Sequence, residues 1–370
     1  MPLRGSTANN LVWPLLGQPG RNLCVFKDER PGTPAGELYK ATGWEPRTYF
    51  DRSAPRGLCM LALISPDGLH WRQIAENPIY VPETSALDSH NQTFWDPWQK
   101  QYVGYWRINI GDVRNVMRTT SADFRKWSKP EVLALDMTVH EQFYTTSALP
   151  YQRSPGTYVM FPSRYVADRN LFTTATPGRP ETNTKIDKGV NDVAFLSSRD
   201  GIHWDWSLRE AFLRPGRDPR TWYDRSLYMD RGILQTSPDE MSLFVMENLR
   251  TSDVHIRRVT LRTDGFVSVH AGYRAGDFTT PPLRFAGKRL ELNCATSAVG
   301  FVKVEIQEAT GAPIAGFSER DGEEVFGDHL ERRVGWGPEH SGDLARLGGR
   351  TVRLRFVLRD ADLYSFRFVD

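Results

Sequence analysis

A chain of 370 residues, 39% hydrophobic and 25% charged, holds enough apolar material for one large or two ordinary globular domains and too much for a disordered segment. Its 47 basic and 45 acidic residues leave a net charge of +2 with no long single-sign run, which argues against a nucleic-acid partner. No window approaches ~18 apolar residues and residues 1–13 lack a basic, apolar, small-residue leader, so the expectation is a cytoplasmic chain with no membrane partner. Cys24, Cys59 and Cys294 are far apart and lack metal-ligand spacing; buried thiols, no metal and no cofactor are expected.

In chain order, 9–13 reads as a lone strand, a Gly/Pro-rich loop follows, and an apolar strand over 22–27 ends on Asp28. The segment 39–82 then holds a group of strands closed by Ser65-Pro66-Asp67-Gly68-Leu69-His70-Trp71. The same spacing returns at Ser121-Ala122-Asp123-Phe124-Arg125-Lys126-Trp127, closing 93–135, and at Ser198-Arg199-Asp200-Gly201-Ile202-His203-Trp204, within 143–213. Each copy follows an apolar strand: Asp and Gly favour the turn, and Trp packs across the hairpin. A hairpin unit returning every ~50 to 80 residues marks the repeated blades of a β-propeller. The excursion over 167–189, rich in Thr, Pro and Asn, reads as a surface loop. A fourth blade spans 227–270. Beyond Tyr273 the texture changes to alternating strands at 290–294, 301–307, 331–336, 351–358 and 363–368, which suggests a β-sandwich. The expected domains are 1–272 and 273–370.

The Ser-x-Asp-x-x-x-Trp hairpins, the Trp95-Asp96-Pro97 element opening one blade and the appended sandwich together resemble the five-bladed propeller glycoside hydrolases, the superfamily of families 32, 43, 68 and 117. In layout the fructan-cleaving family 32 is the most similar. The resemblance covers essentially the whole chain as architecture and the catalytic motifs only in part. It implies an acidic residue on the innermost strand of each of the first three blades: a nucleophile or base, a transition-state-stabilising Asp of an Arg-Asp-Pro motif, and a Glu acid. Asp96-Pro97 is present with Trp95 in place of Arg, whereas Asn-Asp-Pro-Asn and Glu-Cys motifs are not found. A five-bladed ring also needs one blade more than the four visible. Either an N-terminal blade and its nucleophile are missing, or Asp28 takes that role. In the first case a homo-oligomer exchanging a blade would complete the ring.

Glycoside hydrolysis requires two carboxyl groups across the bond, ~5 Å apart for retention or ~6.5 to 9.5 Å for inversion, one of them kept protonated. The candidates are Asp96, Glu141, Asp192 and Asp28. A surface turn is the plain alternative for Asp96, and a solvated loop for Glu141. Sugar-binding candidates are His90, Trp95, Arg164, Arg217, Trp222 and Arg225, because guanidinium groups bind oxygens bidentately and aromatic rings stack on sugars. For each arginine a structural salt bridge competes. Arg217-Asp218-Pro219 imitates Arg-Asp-Pro but falls in the wrong blade. His70 and His203 share one position of the repeat and belong to its turn. Without a Gly-x-Ser-x-Gly, phosphate-loop or dinucleotide fingerprint, hydride, acyl and phosphoryl transfer are disfavoured. The expectation is an all-β chain, a five-bladed-type propeller followed by a sandwich, acting as a glycoside hydrolase on a carbohydrate substrate. A transglycosidase or phosphorylase, or a propeller that binds carbohydrate without cleaving it, are the alternatives.

Overall fold

The computed structural model describes residues 8, 13–15, 18–19, 22–84, 86–169, 189–218, 220–221, 225–249, 251–338 and 341–370. Trp222, residues 9–12 of the lone strand and most of the 167–189 excursion lie outside them. The described residues are built from antiparallel strands with a few short helical turns, and divide into two compact units. Residues 1–232 with 243–258 form the first, and residues 233–242 with 259–370 the second.

In the first unit, strands β1 (Pro14–Leu15) and β2 (Gln18–Pro19) make a two-residue pair. A four-stranded sheet follows in simple meander order: β3 (Cys24–Lys27), β4 (Tyr39–Pro46), β5 (Leu58–Ser65) and β6 (Arg72–Gln73). The second sheet repeats that order with β7 (Gln92–Asp96), β8 (Gln101–Ile110), β9 (Val113–Ser121) and β10 (Glu131–Val132). The third group is divided along its strands: β11 (Glu141–Thr145), β14 (Ser163–Val166) and β15 (Val190–Val193) form one sheet. The other contains β12 (Ala148–Pro150), β13 (Tyr158–Met160), β16 (Leu196–Ser198) and β17 (Trp204–Asp205). Ser147, at a left-handed φ of 44°, sits at the break in the first strand. Strand β18 (Tyr228–Met229) pairs with β20 (Glu240–Glu247) through Tyr228↔Met246 and Met229↔Val245.

Register makes the sequence repeat a structural one. Tyr39 pairs with Ser65, Tyr102 with Ser121 and Tyr158 with Ser198. In every copy the Asp Oδ1 accepts two backbone N–H groups at 2.8 Å, from Leu69 and His70, from Arg125 and Lys126, and from Ile202 and His203. The residue after the Asp is left-handed in all three: Gly68 at 78°, Phe124 at 67° and Gly201 at 71°. Phenylalanine there costs about 1–2 kcal/mol of backbone strain. It is held because its ring is fully buried between Phe26 and Tyr102, at centroid distances of 5.9 and 5.2 Å.

Antiparallel order sorts the connections onto two ends of these sheets. At the lower end lie the exits of β3 and β7 and the Ser-x-Asp hairpins, joined between sheets by Arg125 to Glu37 at 2.6 Å and Gln99 Nε2 to the Asp200 carbonyl at 2.8 Å. At the upper end lie the starts of β7 and β11 and the turns between second and third strands, joined by Trp44 Nε1 to the Ser89 carbonyl and Ser89 Oγ to the Tyr144 carbonyl. First strands are neighbours: Cys24 Sγ is 3.7 Å from Gln92 Oε1, and Ser147 Oγ donates to the Met229 carbonyl.

The second unit corrects the expected run of short strands. Its segments 290–294 and 301–307 are one strand, and so are 351–358 and 363–368. The elements are β19 (Leu234–Ser237), β22 (Val269–Ala271), β23 (Gly276–Thr279), β24 (Leu283–Arg284), β25 (Arg289–Glu308), β26 (Asp328–Arg333) and β27 (Thr351–Val369), while β21 (His255–Arg262) passes from the first unit into the second. Strands β25 and β27 pair along almost their whole length and shift register together between Thr296 and Phe301. What reads as a turn in sequence is an irregularity inside a strand, where Gly300 packs so closely on Asp360 that a Cβ would stand 2.3 Å from its carbonyl. Because β22 already pairs with β27, Gly272, the expected junction, lies inside this unit. Its core holds a cluster that includes Leu290, Val304, Ile306, Leu354 and Phe356. All three cysteines are free and buried, and burial pushes the Cys59 and Cys294 thiols up to about 11.

Candidate functional site

The four expected carboxylates do not converge. Asp28, at the exit of β3, is 4% exposed and bound on every side: its Oδ2 receives Lys40 Nζ at 2.6 Å and Tyr102 Oη at 2.7 Å, and its Oδ1 the Arg30 N–H. Burial alone would raise its pKa, but the bonds from Lys40 and Tyr102 outweigh it and hold the carboxyl below its ordinary value. Lys40 is itself fully buried beside the rings of Tyr102 and Phe124. Asp96 is the same device one sheet on. It is fully buried, its Oδ1 accepts the backbone N–H groups of Trp98 and Gln99, and its Oδ2 accepts Tyr158 Oη at 2.5 Å. Tyr102 and Tyr158 occupy equivalent positions, each reaching back from the following sheet. Both aspartates bridge neighbouring sheets at the lower end, Asp28 to Tyr102 and Asp96 to Tyr158, the two expected catalytic carboxylates being hydrogen-bonded within the protein.

Glu141 and Asp192 do come together, at the upper end, through Arg164. Arg164 is cross-strand neighbour to both Phe143 and Asp192, which puts the guanidinium between β11 and β15. It bonds Asp192 through Nε and Nη2, both at 2.8 Å, and Glu141 Oε1 through Nη1 at 2.9 Å. Burial pulls the Arg164 pKa down, and the two carboxylates more than reverse that. This is a buried carboxylate–guanidinium–carboxylate bridge; Asp192 has both oxygens occupied, while the Glu141 side chain is 28% exposed. Arg164 therefore serves as the structural partner that competes with sugar binding in the sequence reading.

The remaining sugar-binding candidates are dispersed. Trp95 packs edge-on against Tyr102 at 5.0 Å within the core between the first and second sheets. His90 bonds Gln92 and has its pKa lowered, chiefly by burial. Arg225, buried and left-handed at 57°, donates to the Gly189 carbonyl. Arg217 is exposed. Its neighbour Asp218 is bonded by Arg220.

A cleft of about 910 Å³ opens instead at the upper end, between the β4–β5 connection, the approach to β7 and the β8–β9 turn. Its wall carries Arg47, Arg56, Arg107 and Arg114 with Glu83, Asp88 and Asp112. Asp88 is 64% exposed along its side chain and stands 3.6 Å from Arg107. The guanidinium groups of Arg107 and Arg114 both lie over Tyr144, at 5.0 and 5.4 Å, and Arg114 also approaches Tyr165 at 5.1 Å. Tyr144 in turn meets the edge of Tyr228 at 5.7 Å. Asp88 and Arg107 were legible in part. Asp88 heads the polar run before β7, and Arg107 is a lone charge ending the apolar run of β8.

No protein-family model matches this sequence, and no curated protein matches it. Among solved structures it is similar to an N-acetylgalactosamine deacetylase from F. plautii in complex with blood group B trisaccharide, at 14% identity and a TM-score of 0.44, over 65% of this chain and 66% of that one. A glycosyl hydrolase from Bacteroides ovatus gives 14% identity and 0.42, over 65% of each chain. A β-1,2-mannobiose phosphorylase from Listeria innocua gives 12% and 0.39, over 60% of this chain and 54% of that one. The chain thus spans less than two thirds of these proteins' own lengths. At such identities and TM-scores the likenesses do not decide activity.

Proposed function

We propose that the first unit is a propeller of the glycosidase type and that the chain is a carbohydrate-active protein receiving its glycan in the upper cleft. The observation that carries this reading is Asp88, a carboxylate exposed to the cleft beside Arg107, with the guanidinium groups of Arg107 and Arg114 backed by the half-buried Tyr144. Sugar sites hold a few fixed groups that bond hydroxyls, and the carboxylate and guanidinium groups of this cleft are of that kind. The reaction class proposed is hydrolysis of a glycosidic bond. It requires a second carboxyl within ~5 to 9.5 Å of the first, for which Glu83 and Asp112 of the cleft and the part-exposed Glu141 are the candidates. Binding without cleavage is the second reading. It is favoured by Asp28, Asp96 and Asp192, whose oxygens are consumed by the protein itself.

The test is paired: glycan binding by calorimetry, and release of reducing sugar from a panel of aryl glycosides and oligosaccharides, for the wild type and Asp88→Asn. Turnover lost by a hundredfold or more in Asp88→Asn, with folding intact, is expected for the hydrolase. Binding with no cleavage in the wild type would leave the second reading. Absence of binding to any glycan would remove both.

A further inference from the structure

Among the described residues, Arg107 is the one arginine of the upper cleft in an ion pair, and that pair, with Asp88, is loose at 3.6 Å. Arg47 spends its donors on the backbone carbonyls of Leu58 and Pro82. Arg56 is exposed at the rim, and among the described residues no ion pair engages it. Arg114 bonds the neutral side chain of Gln142 at 2.9 Å. Arg107 lies deepest, 7% exposed, and its Nε and Nη1 have no hydrogen-bond partner. Its nearest carboxylate, Asp88, is 3.6 Å away, too far for a bidentate bond. Burial lowers the Arg107 pKa, the direction of a cation without a full counter-charge. Arg107 lines the cleft with a guanidinium whose Nε and Nη1 are buried without a partner and whose Nη2 meets Asp88 only loosely, so its charge and N–H groups are incompletely satisfied within the protein and suit an oxyanion.

Resting on the reading of this cleft as the glycan site, we infer that its ligand is an acidic sugar, with a carboxylate or a sulfate ester seated against Arg107 and Arg114. The two guanidinium groups share Tyr144 as backing, which fixes their spacing and lets them act as a pair. Asp88, at the mouth, is left to bond the neutral hydroxyls of the same sugar.

The experiment is calorimetry on the whole chain with short oligogalacturonates against their methyl esters, and with a sulfated disaccharide against its desulfated form. The charged member of at least one pair should bind about tenfold tighter or more, and the pair that discriminates identifies the substituent. Arg107→Gln should bring that ratio close to one. Should this buried variant fail to fold, Arg114→Gln, at a half-buried position, should reduce the ratio severalfold with an unchanged circular dichroism spectrum. Equal affinity for acid and neutral forms overturns the inference and leaves the proposed function standing. So does binding of uncharged glycans alone. Inorganic sulfate competing as well as the sugars would reduce the site to a bare anion pocket and overturn it too. If no glycan of any kind binds, the proposed function falls with it.

Discussion

The lower and upper ends of the first unit use the same residue types for opposite ends. At the lower end Asp28 and Asp96 are sealed, each closed by a tyrosine from the next sheet and by turn N–H groups. At the upper end Asp88 is open to solvent, and the guanidinium beside it has donors to spare. A carboxylate with all its lone pairs satisfied stabilises the fold and has none left for a substrate. Position on the correct strand is therefore weaker evidence of catalysis than unspent hydrogen-bonding capacity.

That contrast can be broken most forcefully at Arg164. Arg164→Met leaves Glu141 and Asp192 facing each other without their cation and should cost about 3–5 kcal/mol, read by chemical denaturation. A loss below about 1 kcal/mol would mean that the two carboxylates rearrange freely and are available to a ligand after all. Asp96→Ala strips the partner from Tyr158 Oη and from two turn N–H groups and should cost about 2–4 kcal/mol. A stable but inactive Asp96→Ala protein would return Asp96 to the active-site candidates. Phe124→Gly relieves the left-handed strain of about 1–2 kcal/mol but gives up a buried ring worth about 3–5 kcal/mol, so a net loss is expected in thermal unfolding.

Asp28 sharpens the comparison through pH. Its folded pKa is depressed below the ordinary 3.8, so its contribution is complete above that value and is lost as the pH falls through the folded pKa. Asp28→Asn should accordingly flatten the stability profile below about pH 4 relative to the wild type. An unchanged acid limb would show that the Lys40 pair does not govern it. The smallest effect on stability belongs to Asp88→Asn, within about 0.5 kcal/mol, because the side chain is exposed. Its consequence should be confined to glycan binding or turnover.

The repeat was legible because turn chemistry is local: Ser and Asp at fixed spacing suffice for the same pair of Asp Oδ1 hydrogen bonds in three places. The departures in the middle copy were visible as letters but not as meaning. Phe124 and Arg125 replace the Gly and the aliphatic residue of the other copies, and both dock on the first sheet, through Phe26 and Glu37. That two of the expected site residues, Asp28 and Asp96, are hydrogen-bonded within the protein escaped the sequence for a related reason. Strand order placed them at the first strands' ends, but nothing local distinguishes the exit of a strand that faces a neighbouring tyrosine from one that faces an open cleft. In the second unit, a strand crossing an irregularity and a strand ending in a turn carry the same small and polar residues, which is why β25 and β27 read as four segments.

By itself, then, the sequence determined the all-β character, the hairpin repeat, the strands that carry it and the burial of the three cysteines, because alternation, turn propensity and hydrophobicity act over a few residues. The tertiary structure alone decided which carboxylates are consumed, that Arg164 binds Glu141 to Asp192, and that Arg107 is buried beside an exposed Asp88. Those outcomes depend on side-chain partners 12 to 74 positions away in the chain. Hydrogen-bond saturation is a property of the assembled neighbourhood, not of any one segment.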